Sequence, residues 1–94
     1  MIKLDWGNVL IKPSQRRQVM AWLKRAMKIG QRIGDFFLTL SLHRAGRFYE
    51  VRATVHDSAG DFGIKSRQHD WRDAIREIAA NVTHRLHRQR LAMA

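Results

Sequence analysis

The stretch DFFLTLSLHRAGRFYEVRATVHD, residues 35–57, decides the fold because apolar and polar residues alternate along two successive runs. Period-two alternation is typical of a β-strand with one buried face. The residues predicted on that face are Phe36, Leu38, Leu40 and Leu42 in the first run, and Tyr49, Val51, Ala53 and Val55 in the second. RAGR at 44–47 predicts a turn between them, so the stretch forms an antiparallel hairpin.

Further strands are predicted on both sides of this hairpin. Downstream, Ser58-Ala59-Gly60 predicts a turn, and DFGIKSR at 61–67 predicts a short strand with Phe62 and Ile64 facing inward. Upstream, residues 2–6 predict a first strand. The result is a mostly antiparallel four-stranded sheet with one apolar face, here called the dry face, which other elements must bury.

A first amphipathic helix is predicted over residues 14–29, with Pro13 well placed at its start. Gly30 and Gly34 are the predicted stopping points. The apolar stripe predicted for this helix consists of Val19, Met20, Trp22, Leu23, Ala26 and Met27. Such a stripe can cover one half of the dry face.

A second helix begins after Asp70, which predicts an N-cap, and Asp73 places another carboxylate near its positive end. Its predicted apolar stripe consists of Trp71, Ala74, Ile75, Ile78, Val82 and Leu86. The order β-α-β-β-β-α predicts an α+β fold in a single domain, residues 1–94, with both helices on one face of the sheet. This layout is similar to that of double-stranded-RNA-binding domains.

The charge of the chain indicates a polyanionic partner. Lys and Arg number 18 against 8 Asp and Glu, a formal net charge of +10. Basic residues favour nucleic acid because each phosphate they neutralise releases bound counterions. Between Asp5 and Asp35 there are seven Lys or Arg and no acid, and no acid follows Glu77.

The basic residues of both helices gather away from the apolar stripes. The residues predicted on this ground to contact RNA are Arg17, Lys24, Arg25, Lys28 and Arg32 on the first helix, and Arg72, Arg76, His87 and Arg90 on the second. Faces of a single charge sign differ from the mixed faces of ordinary solvated helices. If the helices pack side by side, they can form one basic surface that contacts phosphates without reading sequence.

The outer face of the sheet is a second candidate surface. Phe37, Phe48, Arg52, Lys65 and Arg67 are predicted to point there, where aromatic rings can stack with bases. Two aromatic residues near a sheet edge are more often explained by packing within the sheet or by self-association.

Catalysis and cofactor binding are not indicated. His84 and His87 are spaced i, i+3 with no third ligand in view, so we expect protonatable charge rather than a metal site. No nucleophile elbow, Gly-rich phosphate loop or carboxylate pair is present, so no enzyme activity and no small-molecule substrate are predicted. No apolar run reaches the roughly 20 residues that span a bilayer, which predicts no membrane partner. The chain has no cysteine, which suits a cytoplasmic location.

HDWRDAIREIAANVTHRLHRQR, residues 69–90, resembles the second helix of the short ribosome hibernation-promoting factors and ribosome-associated inhibitors, also called the sigma-54 modulation family. The family's acidic residue, aromatic and Ala-Ile pair are matched by Asp70, Trp71 and Ala74-Ile75. Its Leu amid basic residues is matched by Leu86. MIKLDWGNVLIKPSQRRQV, residues 1–19, and residues 34–67 are similar to the family's first strand, basic helix and long hairpin. Arg76 is a departure, since the family usually has an acid there.

The resemblance implies binding to ribosomal RNA in the small-subunit channel for mRNA and tRNA, which blocks translation and protects idle ribosomes in the stress response. The contact residues it implies are Lys24, Arg25, Lys28, Arg85, Arg88 and Arg90. The predicted partner is the small ribosomal subunit, and the bound form is predicted to be a monomer. Two alternatives remain open: a stand-alone module for double-stranded or structured RNA, and a basic domain that docks an acidic protein.

Overall fold

The computed structural model describes residues 2–57 and 60–93, and their side chains except those of Ile33 and residues 90–93. The elements are β1 (Ile2–Asp5), α1 (Pro13–Ile33), β2 (Phe36–Ala45), β3 (Phe48–Asp57), β4 (Gly60–Gln68) and α2 (Trp71–Met93). This order confirms the predicted β-α-β-β-β-α architecture. Neither helix, as far as the chain is described, is long and apolar enough to cross a membrane.

The four strands lie in the order β1-β2-β3-β4, with β1 parallel to β2 and the other pairs antiparallel. Val55 of β3 pairs with Leu38 of β2 on one side and with Phe62 of β4 on the other. These buried side chains form one core with the apolar stripes of both helices. α1 packs over β2, α2 packs over β3 and β4, and the helices contact each other.

The alternation that predicted the central hairpin is confirmed. The side chains predicted on its inner face are buried, except that of Tyr49, which is half-buried. Ala45 pairs with Phe48, which leaves a two-residue loop. Gly46 opens this loop with a φ of 62°, the pattern of a type II′ turn. Of the second predicted turn, Ser58 and Ala59 lie outside the described residues.

The loop between β1 and α1 is tied to the edge of β2. The side-chain amide of Asn8 makes two hydrogen bonds to the backbone of Arg44, as a paired strand residue would. Its Nδ2 donates to the Arg44 carbonyl at 3.1 Å, and its Oδ1 accepts from the Arg44 N–H at 2.8 Å. Gly7 has a φ of 56°, and a Cβ there would collide with the Leu42 carbonyl oxygen. The loop therefore fixes where α1 begins.

α1 is longer than predicted. It begins at Pro13, one residue before the predicted start, and the N–H of Lys12 donates to Gln15 Oε1 at 2.9 Å. The predicted end at residue 29 is wrong, because the buried Gly30 allows the Phe36 ring to pack against the helix rather than terminating it. Gly34, with a φ of 138°, follows the last turn.

The predicted apolar stripes are confirmed apart from one residue. Met20 of α1 is 36% exposed beside Pro13 and Arg16, so its assignment to the buried stripe is wrong. On α2, the stripe from Ala74 to Leu86 is buried and also includes Ala79. These stripes turn the remaining faces of both helices outward.

The start of α2 is capped as predicted. Asp70 Oδ1 accepts from the N–H of Arg72 at 2.8 Å, and Asp73 lies in the first turn. Glu77 has a different role, since its Oε2 accepts from Gln68 Nε2 of β4 at 2.6 Å. The acids therefore fix both the beginning of α2 and its contact with the sheet.

Candidate nucleic-acid interface

α1 and α2 lie side by side and leave a groove of about 470 Å³ between their outward faces. α1 lines it with Trp22, Arg25 and Ile29, and α2 lines it with Arg76, Ala79, Ala80, Thr83, His84 and His87. Among the described residues, no acidic side chain lines this interhelical groove. Basic residues from two separate segments of sequence thus meet at one site.

Helical periodicity explains which side chains reach the groove. On α1, Trp22, Arg25 and Ile29 are spaced i, i+3 and i+7, which places them along one face. On α2, Arg76 and Thr83 are two turns apart on one face. Since Thr83 Oγ1 donates to the Ala79 carbonyl at 2.7 Å, its hydroxyl is tied to its own helix. The lining thus combines small and apolar residues with basic side chains from both helices.

Arg76 is held by an aromatic ring rather than by an acid. Its guanidinium carbon lies 4.8 Å from the centroid of the half-buried Trp22 ring, within cation–π range. None of the described carboxylates forms an ion pair with Arg76. Its positive charge therefore remains available to an anionic ligand.

A second groove, of about 650 Å³, lies on the other side of α2. It is lined by Ile64 of β4 and by Asn81, His84, Arg85, Arg88 and Gln89 of α2. Arg85 packs over Phe62 of β4, with its guanidinium carbon 4.4 Å from the ring centroid. Arg85 and Arg88 therefore face away from α1, whereas Arg76 and His87 face toward it.

The other predicted contact residues whose side chains are described line neither of these two grooves. Lys24, Lys28 and Arg32 are exposed on α1, and Arg17 lies near its start beside Met20. Arg72 is exposed at the start of α2, 5.5 Å from the Trp71 ring centroid. The side chain of Arg90 lies outside the described residues. The structure thus brings Arg25, Arg76 and His87 to one groove, and RNA contact by any of these residues stays a prediction.

His84 lies on the exposed face of α2 between the two grooves and lines both of them. Together with His87 it can add positive charge when protonated. Within the described residues, no three His, Cys, Asp or Glu side chains are grouped to hold a metal ion.

The fold, but not the sequence, of this chain is similar to that of known proteins. No protein-family model matches the sequence, and no curated protein sequence matches it significantly. Solved structures do match. The N-terminal domain of Protein Y from Thermus thermophilus superposes with a TM-score of 0.79 at 20% identity, over 93% of this chain and 96% of that one. A ribosomal subunit interface protein from Coxiella burnetii superposes with a TM-score of 0.68 at 15% identity, over 96% of this chain and 97% of that one.

The chain shares the fold of the Protein Y N-terminal domain. Both neighbours belong to the hibernation-promoting factor family, so the resemblance seen in the sequence is confirmed at the level of the fold. At 15–20% identity the likeness fixes the arrangement of elements and leaves the roles of individual side chains to other arguments.

On the outer face of this Protein Y-like sheet, the two predicted aromatic residues differ. Phe37 is 49% exposed. Phe48 is half-buried, with its ring centroid 4.4 Å from that of His69 and 4.4 Å from the Arg67 guanidinium carbon. Phe48 is thus engaged within the chain, whereas Phe37 is about half exposed to solvent.

Sequence reasoning missed the contribution of Trp22 to the helix face. The residue was assigned only to the apolar stripe, yet its half-buried ring lines the interhelical groove and supports Arg76. A signal existed, since Trp22 is one turn from Arg25 and therefore lies at the border of the apolar and basic faces. His84, which lines both grooves, is likewise absent from the predicted contact residues, although Arg88 lies one turn further along the same helix.

Proposed function

We propose that this chain is a ribosome-associated factor of the cytoplasm that binds small-subunit ribosomal RNA through its two helices. The bound protein occupies the channel for mRNA and tRNA anticodon stems, blocks translation and keeps idle ribosomes in a hibernating state. The observation that carries the proposal is the interhelical groove, where Arg25 and Arg76 from different helices meet without an acidic side chain among the described lining residues.

The charge arrangement suits the phosphate backbone of RNA. Arg donates through a planar fork that can bond two phosphate oxygens at once, and Lys acts as a compact point charge. Lys24 and Lys28 are exposed on the same helix as Arg25, and Arg88 is exposed on α2, where it lines the second groove. Phosphates spaced along a strand can therefore engage several cations together, as expected for binding driven by counterion release.

The fold supplies independent support. One structural neighbour is named a ribosomal subunit interface protein, and the other is the Protein Y N-terminal domain. The sequence resemblance to ribosome hibernation-promoting factors implies the same class of partner. The charge of the chain indicates a polyanionic partner, and the shared fold favours the ribosome over other polyanions.

Co-sedimentation with separated ribosomal subunits at physiological salt tests this function. We expect stoichiometric binding to the small subunit and displacement by excess tRNA and mRNA, because all three occupy one channel. Binding to the small subunit that those ligands leave unchanged would rule out the channel. Retention on duplex RNA without subunit binding would replace the ribosome with a general structured-RNA target.

A salt titration tests the electrostatic part of the proposal. The logarithm of the affinity for the small subunit should fall linearly with the logarithm of salt concentration, with a slope of about −0.7 to −0.9 per phosphate contacted. A slope near zero would contradict phosphate contacts by the helix face.

A further inference from the structure

The interhelical groove has the size of a site for a small ligand. Its volume of about 470 Å³ lies within the roughly 300–1,000 Å³ typical of small-ligand pockets. Ile29, Ala79 and Ala80 form its apolar part, so a flat aromatic group could shed water against them. RNA offers such a group in its bases.

Arg76 provides a planar platform beside this apolar floor. The Trp22 ring lies 4.8 Å from its guanidinium carbon, while the Arg76 side chain as a whole is exposed. The guanidinium thus contacts an aromatic ring within cation–π range while the side chain stays accessible to a ligand. Bases of single-stranded or bulged RNA stack on Arg planes as they do on aromatic rings.

The phosphate of the same nucleotide has its own partners. Arg25 lines the groove from α1, and His84 and His87 line it from α2. Since no described acid lines the groove, these groups present hydrogen-bond donors to an anion without a competing carboxylate. A base in the groove would therefore carry its phosphate toward Arg25 and these hydrogen-bond donors.

We propose that the groove between α1 and α2 is a subsite for one unpaired nucleotide, with its base stacked on Arg76 and its phosphate held by Arg25. A base inside a duplex has both faces covered by its neighbours, so only a bulged, looped or extruded base can enter. Trp22 is a positioning residue that fixes the Arg76 plane. This subsite rests on the proposed function, because it requires the helix face to bind RNA.

Three short RNA hairpins test the subsite: one with a single bulged nucleotide, one with an abasic residue at the bulge and one fully paired. The abasic bulge keeps the phosphate and removes the base. Measured by fluorescence anisotropy at physiological salt, the bulged hairpin should bind roughly tenfold more tightly than the abasic one, as expected for one stacked base.

Variants assign this base-dependent ratio to residues. Arg76→Lys keeps the charge but loses the plane, so the ratio should fall to near one while the paired hairpin still binds. Trp22→Leu should lower the ratio, and Trp22→Phe should restore it, which a merely structural defect would not do. Arg52→Lys, on the exposed outer face of the sheet, is the matched control and should leave the ratio unchanged.

Failure of the subsite is distinguishable from failure of the proposed function. Equal affinity for bulged and abasic hairpins would overturn the subsite while RNA binding by the helix face stands. A base-dependent ratio that survives Arg76→Lys would also overturn it. If none of the hairpins binds, the subsite is again overturned, and subunit co-sedimentation decides the proposed function separately.

Discussion

The two sides of α2 use the same interaction but face different partners. Toward α1, Arg76 packs on Trp22 with 4.8 Å between guanidinium carbon and ring centroid. Toward β4, Arg85 packs on Phe62 at 4.4 Å. The first side adds Arg25 from a second helix, whereas across the second groove the sheet contributes the uncharged Ile64.

This difference identifies where RNA affinity should concentrate. Cations from two helices reinforce one another in a groove with low-dielectric walls, which focuses the electrostatic field. On the β4 side the cations come from α2 alone. We therefore expect the α1 side to dominate binding and the β4 side to contribute less.

The largest expected effect comes from reversing the charge of α1. Lys24→Glu, Arg25→Glu and Lys28→Glu together should weaken small-subunit binding by at least roughly 100-fold, because several phosphate contacts become repulsive. All three side chains are exposed, so circular dichroism and the melting temperature should stay close to those of the wild type.

A matched control separates this surface from net charge. Arg52→Glu, Lys65→Glu and Arg67→Glu change the formal charge by the same amount on the outer face of the sheet. This triple variant should lose much less affinity. Equal losses in the two triple variants would mean that the ribosome responds to overall charge, not to the helix face.

The next largest effect concerns the packing of α1 against the sheet and is measured as a loss of stability. In Gly30→Ala the added Cβ would collide with the Phe36 ring, so we expect a loss of about 2 kcal/mol in the free energy of unfolding. Gly63→Ala on β4 is the control, since its Cβ would lie 3.7 Å from the Ala53 carbonyl oxygen, an ordinary contact. Urea denaturation measures both. A stable Gly30→Ala protein would refute the close packing of α1 against Phe36.

Paired neutral substitutions compare the two sides of α2 directly. Arg25→Gln with Arg76→Gln should weaken binding to the small subunit by about tenfold, because both cations of the interhelical groove are lost. Arg85→Gln with Arg88→Gln removes the same charge from the β4 side and should weaken it by only about threefold. A larger loss from the second pair would reverse the assignment of the dominant side.

The smallest effect concerns α2 as a whole. Asp70→Ala removes the acceptor of the Arg72 N–H and should cost about 1 kcal/mol of stability, readable as a lower urea midpoint. Asp70→Asn keeps a hydrogen-bond acceptor and should retain most of the stability that the cap contributes. The cap stabilises the helix as a whole. In the Asp70→Ala background, the two double Gln variants should therefore lose small-subunit affinity in the same ratio as in the wild type. A changed ratio would show that Asp70 contributes to one side specifically.

Much of the fold could be predicted because its signals are local. The alternation from Phe36 to Val55 fixes which strand faces are buried, and Asp70 marks where α2 begins. Gly30 shows the limit of local rules. As an isolated residue it signals a helix end, but its contact with Phe36, six residues on, makes it part of the helix interior.

The site was less predictable because it depends on how two helices are rotated relative to each other. Helical spacing places Arg76 and Arg85 about 180° apart around α2, but only packing shows that the side of Arg76 meets α1 and the side of Arg85 meets β4. The pairing of Trp22 with Arg76 joins residues 54 positions apart and has no local signature. Charge composition thus indicated an RNA-binding surface without showing its shape.

Directed hydroxyl-radical cleavage tests most directly which face meets RNA. The chain has no cysteine, so Ala80→Cys and Thr54→Cys each provide one attachment point for an iron chelate. Ala80 is exposed beside the interhelical groove, and Thr54 is exposed on the outer face of the sheet. On small subunits saturated with each variant, Ala80→Cys should cleave ribosomal RNA strongly at the mRNA and tRNA channel, and Thr54→Cys only weakly. Strong cleavage from Thr54→Cys with none from Ala80→Cys would contradict binding through the helices.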